Sequence, residues 1–145
     1  MKVVCVSDTH GLHALAAAVP DGDVFVHAGD FTDTGERSEV LAFNEFLGRL
    51  PHRYKLVIAG NHESSFDRHF YASYWHHYGH KQQYDPDEVR ALLTNALYLE
   101  DEAVEIEGYV FYGYYLVWIQ SFVAHLPAQS NLVVLTIYLS SSCCV

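Results

Sequence analysis

Basic residues are scarce in this chain: 8 Lys and Arg stand against 18 Asp and Glu, and the formal charge at pH 7 is -10. A surface so acidic repels phosphate backbones, which excludes a nucleic-acid duplex as a natural partner. Cysteine is sparser still. Of three, Cys5 lies in the first apolar run and Cys143 and Cys144 lie together at the other end. That pattern is no disulfide framework, and it suits a reducing, cytoplasmic setting. Long hydrophobic runs are also lacking. Only a few apolar residues follow Lys2 before Ser7 and Asp8, too few for the apolar core of a signal peptide. Tyr109–Ile119 and Leu132–Leu139 each fall short of the ~20 residues of a membrane span, so none is expected. No internal repeat and no linker composition is visible. What is present is apolar bulk: half of the 145 residues are hydrophobic and the mean hydropathy is +0.02. Disorder is thereby excluded, and the length allows one domain with a core rather than two.

Three β-branched runs predict buried strands: Lys2–Ser7, Asp23–Ala28 and Tyr54–Ala59. A short Ala/Leu-rich helix, Leu12–Ala18, separates the first two. A stronger one, Glu36–Leu50, separates the second and third, with Val40, Phe43, Leu47 and Leu50 at helical spacing and Pro51 as its stop. Strands alternating with helices imply parallel pairing in right-handed crossovers, so the fold class is α/β. Ser65–Tyr78 reads as a further helix. Asp85-Pro86-Asp87-Glu88 reads as a helix start, with Asp85 as the cap and Val89, Leu92 and Leu93 on the buried side. Ala96–Leu99, Ala103–Glu107 and Tyr109–Tyr112 follow as short strands, the last two as a hairpin turning at Gly108.

Each of the first three strands runs into residues that bind metals well: Asp8-Thr9-His10-Gly11, Gly29-Asp30, and Gly60-Asn61-His62-Glu63. In an open parallel sheet, ligands bind beyond the carboxyl ends of the strands, so this topology gathers Asp8, His10, Asp30, Asn61 and His62 at one rim. Two adjacent divalent ions need a bridging carboxylate against their mutual repulsion, and Asp30, on the middle loop, is the natural bridge. Asp8 and His10 suit one ion and the amide oxygen of Asn61 the other. Mixed oxygen and imidazole ligands favour Mn, Fe or Zn. His62 is placed to protonate a leaving oxygen or to stabilise charge on phosphate.

These three motifs resemble the successive motifs of the calcineurin-like metallophosphoesterases. Phe25–Thr32, Phe43-Asn44, Val57–Glu63, Leu92–Asn95 and Tyr98-Leu99 are similar to a narrower branch, the metallophosphoesterase domain-containing proteins. The likeness runs from about Lys2 to Gly113. It implies an αββα sandwich with a dinuclear metal site hydrolysing small phosphoesters, in the narrower branch phosphodiesters including cyclic nucleotides. It further implies Asp8 and His10 as ligands at one metal, Asp30 as the bridge, Asn61 as a ligand at the other, and His62 as the catalytic histidine.

The chain also departs from that pattern. The family's later Gly-His and Gly-His-x-His elements have no counterpart after Gly113, and His125, the only later histidine, lacks a following Gly. The expectation is a phosphoesterase domain in residues 1–113 and a divergent tail in 114–145, with the domain truncated after the first sheet and one sheet face open. No Asp, Glu, Lys or Arg occurs from Gly108 to Val145. That run reads as a pair of buried strands, as a membrane segment, or as sequence from another exon or frame. Three functions stay open: a metal-dependent phosphodiesterase, weak in this form; a catalytically dead relative that binds a nucleotide or protein; and a non-functional splice product. His69, His76, His77 and His80 are expected to form a solvated helix end, the Phe66–Tyr84 aromatics ordinary core, and His27 a core histidine or a support to the ligands.

Overall fold

The computed structural model describes residues 1–13 and 19–114 and the backbone of 121–125. Four strands pair in parallel in the order β1 (Val3–Val6), β2 (Val24–His27), β3 (Tyr54–Val57) and β4 (Leu97–Tyr98). Only β2 is buried throughout: it pairs along its whole length with β1 on one side and β3 on the other, whereas β4 flanks only Leu56 and Val57 of β3. The first strand, expected to be buried, is an edge, and its Cys5 is exposed with a free thiol. Most of the expected helix Leu12–Ala18 falls in residues 14–18, outside the described residues.

Helix α1 (Arg37–Arg49) connects β2 to β3 and buries Val40, Phe43 and Leu47, the positions that its period selects. It begins with a capping box in which the Glu36 amide donates to Glu39 (2.9 Å). The same Glu39 carboxylate accepts from the amides of Asp33 (3.0 Å) and Thr34 (3.2 Å), so the loop after β2 is tied to the helix start. Burial raises the Glu39 carboxyl, but the hydrogen bonds from Glu36, Asp33 and Thr34 outweigh it and hold the group below its ordinary range.

The expected single helix over Ser65–Tyr78 is broken into a 3-10 turn (Ser64–Phe66), α2 (Arg68–Tyr74) and a second 3-10 turn (Trp75–Tyr78). Asp67 causes the break: its side chain accepts from the amides of His69 and Phe70 and starts a new helix. Helix α3 (Pro86–Arg90) starts as its sequence indicates, with Asp85 capping the Asp87 amide and Pro86 in the first turn. Glu88, in the first turn of this helix, pairs with Arg37 at 3.5 Å.

The helical side of the sheet is filled by Phe25, Phe31, Val40, Phe43, Leu47, Phe66 and Val89. The other face meets a second, antiparallel sheet of β5 (Glu102–Ile106), β6 (Tyr109–Tyr114) and β7 (Ser121–His125), and the predicted hairpin joins β5 to β6. The chain thus carries three strands of the second layer and does not stop after the first. Ile106 and Phe111 cover Val24, Val26, Leu56 and Ile58, while Cys5 on the same face of β1 stays uncovered. The second sheet comes close to the first at Gly113, where a Cβ would lie 2.4 Å from Leu99 Cβ and 2.9 Å from Ile58 Cγ2. Within the uncharged run, the described residues form strands, of which β6 is buried only at Phe111 and Gly113. Among the described residues no helix is long and apolar enough to cross a membrane.

Candidate metal centre

The loops after β1, β2 and β3 meet at one rim, as parallel topology requires. Loop one docks on loop two through amides of Asp8 to Gly29 O (3.1 Å), His10 to Asp30 O (3.0 Å) and Gly11 to Phe31 O (3.0 Å). Loops two and three touch backbone to backbone. A Cβ on Gly29, whose φ is +97°, would sit 2.8 Å from Gly60 N and 2.9 Å from Gly60 Cα. Asp8, His10 and Asp30 all adopt left-handed backbone, with φ of 55°, 42° and 54°. Such positions cost on the order of 1 kcal/mol each in non-glycine residues and cluster where function requires a particular aim. Three of the five sequence-selected residues carry this strain.

The ligating atoms of His10, Asp30 and His62 lie within 4.8 Å of one another. Two donors on one ion at ~2.1 Å each are at most roughly 4.2 Å apart and a symmetric trio is closer still, so the three share one cation only after closing by about an ångström. Asp30 is buried, and one of its carboxylate oxygens accepts the His62 amide at 3.1 Å. The rings of His10 and His62 meet edge to face, with centroids 4.4 Å apart. His62 Nδ1 is 2.7 Å from the carbonyl of Asp33, which can only accept; Nδ1 therefore carries the proton and Nε2 presents its lone pair. Two imidazoles and a carboxylate fit a borderline divalent cation such as Mn, Fe or Zn. Asp8 and Asn61 flank this trio on exposed positions of loops one and three; Asp8 is not a member of the 4.8 Å cluster.

Two residues to which the sequence reading gave no role prove central. Glu63 is fully buried and joins the loops. One of its carboxylate oxygens accepts from the amides of Asp30 (2.8 Å) and Gly60 (2.7 Å), the other from the amide (2.8 Å) and hydroxyl (2.7 Å) of Thr32. Burial pushes its carboxyl up to about 7 and the Asp30 carboxylate adds to the rise, against the lowering hydrogen bonds from Gly60 and Thr32. Its signal in the sequence is its place directly after Asn61-His62. The second is Asp33, whose carbonyl orients His62 and whose carboxylate lies 3.9 Å from His10 Nδ1. Its signal is the acidic residue three positions after Asp30.

His27 is a buried core histidine, as expected, packed against Phe31 and Phe43. Burial, with His13 and His10 nearby, lowers its pKa to about 3, so the ring is neutral. The histidine-rich segment divides. His69, His76 and His77 are exposed, whereas His80 is buried with Nδ1 2.6 Å from the Tyr71 hydroxyl. The aromatics divide too: Phe66 and Tyr71 are core, while Phe70 and Tyr74 stack at 4.8 Å nearer the surface. His125 ends β7 opposite Val110. It is three residues, roughly 10 Å, from the register position of Phe122, which pairs with Gly113 beside Ile58.

Comparison with known proteins agrees with this geometry. The family description of calcineurin-like phosphoesterases matches residues 1–136. A UPF0046 protein of Caenorhabditis elegans is 48% identical over 118 residues, covering 78% of this chain and 38% of its own length. Metallophosphoesterase domain-containing protein 1 of Homo sapiens is 45% identical over 119 residues, covering 77% of this chain and 36% of its own length. The chain therefore spans about two fifths of the length of the curated relatives it matches. A parallel sheet whose three loops converge on histidine and aspartate, and a family match reaching residue 136, place this chain among the calcineurin-like phosphoesterases.

Proposed function

We propose that residues 1–113 form the metal-binding part of a phosphodiesterase and that residues 114–145 are a divergent tail. The enzyme would use two divalent cations, Mn, Fe or Zn, on small phosphodiesters or cyclic nucleotides. The observation that carries this reading is the convergence of His10, Asp30 and His62 from three separate loops to within 4.8 Å. In this reading Asp8 and His10 hold one ion, Asp30 bridges, and Asn61 serves the other. The bound cations would polarise the phosphoryl oxygens and favour attack by water. His62, oriented by the Asp33 carbonyl, would stay off the cations in this reading and relay a proton from solvent through Nε2 to the leaving oxygen. The Asp33 carboxylate faces His10 at 3.9 Å, and Glu63 holds Asp30 and Gly60 in register. A reducing, cytoplasmic setting belongs to the same reading, supported by the free thiol of Cys5.

The test is Mn²⁺ titration of the purified chain, followed by hydrolysis of bis(p-nitrophenyl) phosphate with Mn²⁺ added. Saturable binding and Mn²⁺-dependent turnover are expected. Asp30→Ala should lose both, and His62→Ala should lose turnover at least 100-fold, a typical loss for an acid–base group. A second reading, favoured by the place of Asp8 outside the 4.8 Å trio, is a relative that binds without turnover. Mn²⁺ binding with no hydrolysis would select it. Absence of saturable Mn²⁺ binding refutes both.

A further inference from the structure

We propose that His27 is a positioning residue: through the Thr9 hydroxyl it fixes the Asp8-Thr9-His10 loop in the conformation that receives a divalent cation. The inference rests on the metal reading given above. It starts from an oddity of the core. His27 closes the central strand β2, and its ring is entirely buried among Phe25, Phe31 and Phe43, at centroid distances of 6.4, 5.8 and 5.0 Å. A leucine would suit such a cage better, since burying a polar ring is unfavourable unless it is hydrogen-bonded. Its one hydrogen bond among the described residues is from Nε2 to Thr9 Oγ1, at 3.0 Å; Nδ1 has no partner there. An unpaired buried N–H is rarer than an unpaired acceptor. The proton therefore sits on Nε2 and is donated to Thr9.

Thr9 is the middle residue of the most strained stretch of the rim. Asp8 before it and His10 after it both have left-handed backbone, at φ 55° and 42°. Conformations of this kind persist only where the surroundings over-determine them. Three amide bonds hold the loop to Gly29, Asp30 and Phe31 from its backbone side. The His27–Thr9 bond adds a side-chain anchor between the two strained residues, from a ring that its aromatic cage prevents from turning away. His27 thus holds the aim of His10 and Asp8 without reaching a cation itself. Groups behind metal ligands typically contribute 10- to 100-fold in affinity.

The experiment measures Mn²⁺ affinity calorimetrically in the full chain, with thermal unfolding in EDTA alongside. Thr9→Val and His27→Leu should each weaken Mn²⁺ binding about tenfold, and the double variant should be no weaker than either. Thr9→Ser and His27→Gln, which keep the hydroxyl and a nitrogen near the Nε2 position, should restore affinity to within about threefold of the unsubstituted chain. Val40→Ala, in the same core on α1, should lower the unfolding temperature and leave the Mn²⁺ affinity unchanged. Because Thr9 lies on a half-buried loop, its variant tests the idea even if His27→Leu fails to fold. The proposal is overturned if Thr9→Val binds Mn²⁺ like the unsubstituted chain, or if the two losses multiply in the double variant. An unsubstituted chain that binds no Mn²⁺ overturns the proposed function and this inference together.

Discussion

Replacing Glu63 tests whether one buried carboxylate holds the rim together. In Glu63→Ala the amides of Asp30, Thr32 and Gly60 all lose their acceptor inside the protein. Each buried N–H left unsatisfied costs ~1–3 kcal/mol. The loss is offset in part because the carboxylate is itself costly to bury. A rise from 4.5 to about 7 corresponds to roughly 3 kcal/mol of disfavoured charge at neutral pH. The net expectation is a loss of about 2–5 kcal/mol, a large share of a typical domain's stability. Glu63→Gln behaves differently. Its NH₂ best faces the Thr32 hydroxyl, which can accept it and turn its own proton toward the His62 carbonyl at 3.4 Å. The Thr32 amide and the second N–H of the Gln side chain then stay unpaired at ~1–3 kcal/mol each, while the roughly 3 kcal/mol cost of the buried charge disappears. The Gln variant should fall within about 2 kcal/mol of the unsubstituted protein. Urea unfolding in EDTA at pH 8 separates the cases. An Ala variant as stable as the unsubstituted chain, or a Gln variant as damaged as Ala, would refute the clamp.

Gly29→Ala should destabilise the fold by about 3 kcal/mol, since its Cβ meets Gly60 N at 2.8 Å and its φ of +97° resists a side chain; urea midpoints measure this. The sign of the pH dependence follows from His27. Its folded pKa lies near 3 and its ordinary value is 6.5, so the unfolded chain binds the extra proton in between, and stability falls as pH drops through that window. His27→Gln should remove a slope of roughly 1.4 kcal/mol per pH unit between about pH 6 and pH 4 relative to the unsubstituted chain. Equal slopes in urea unfolding across that range would show that His27 is not buried neutral.

Local order was readable where a single element decides its own fate. The period of α1, the cap at Asp85 and the β-branched runs appear where periodicity and capping place them, because those interactions close within a few residues. The break at Asp67 was missed because helical periodicity continues through it; the competing cap becomes visible only when its side chain accepts from His69 and Phe70. Likewise the openness of the sheet was overestimated, since the cover on Val26 and Ile58 comes from Ile106 and Phe111, far along the chain.

The sequence by itself determined the donor types and their address at the ends of three strands, because parallel connection sends every loop of that kind to the same edge. Tertiary structure alone decided which donors meet: His62 joins His10 and Asp30, whereas Asp8 stays outside that trio. It also decided what holds them. Glu63, Asp33 and Thr9 act across separations of up to about thirty residues, through contacts that exist only once the sheet has brought the loops side by side.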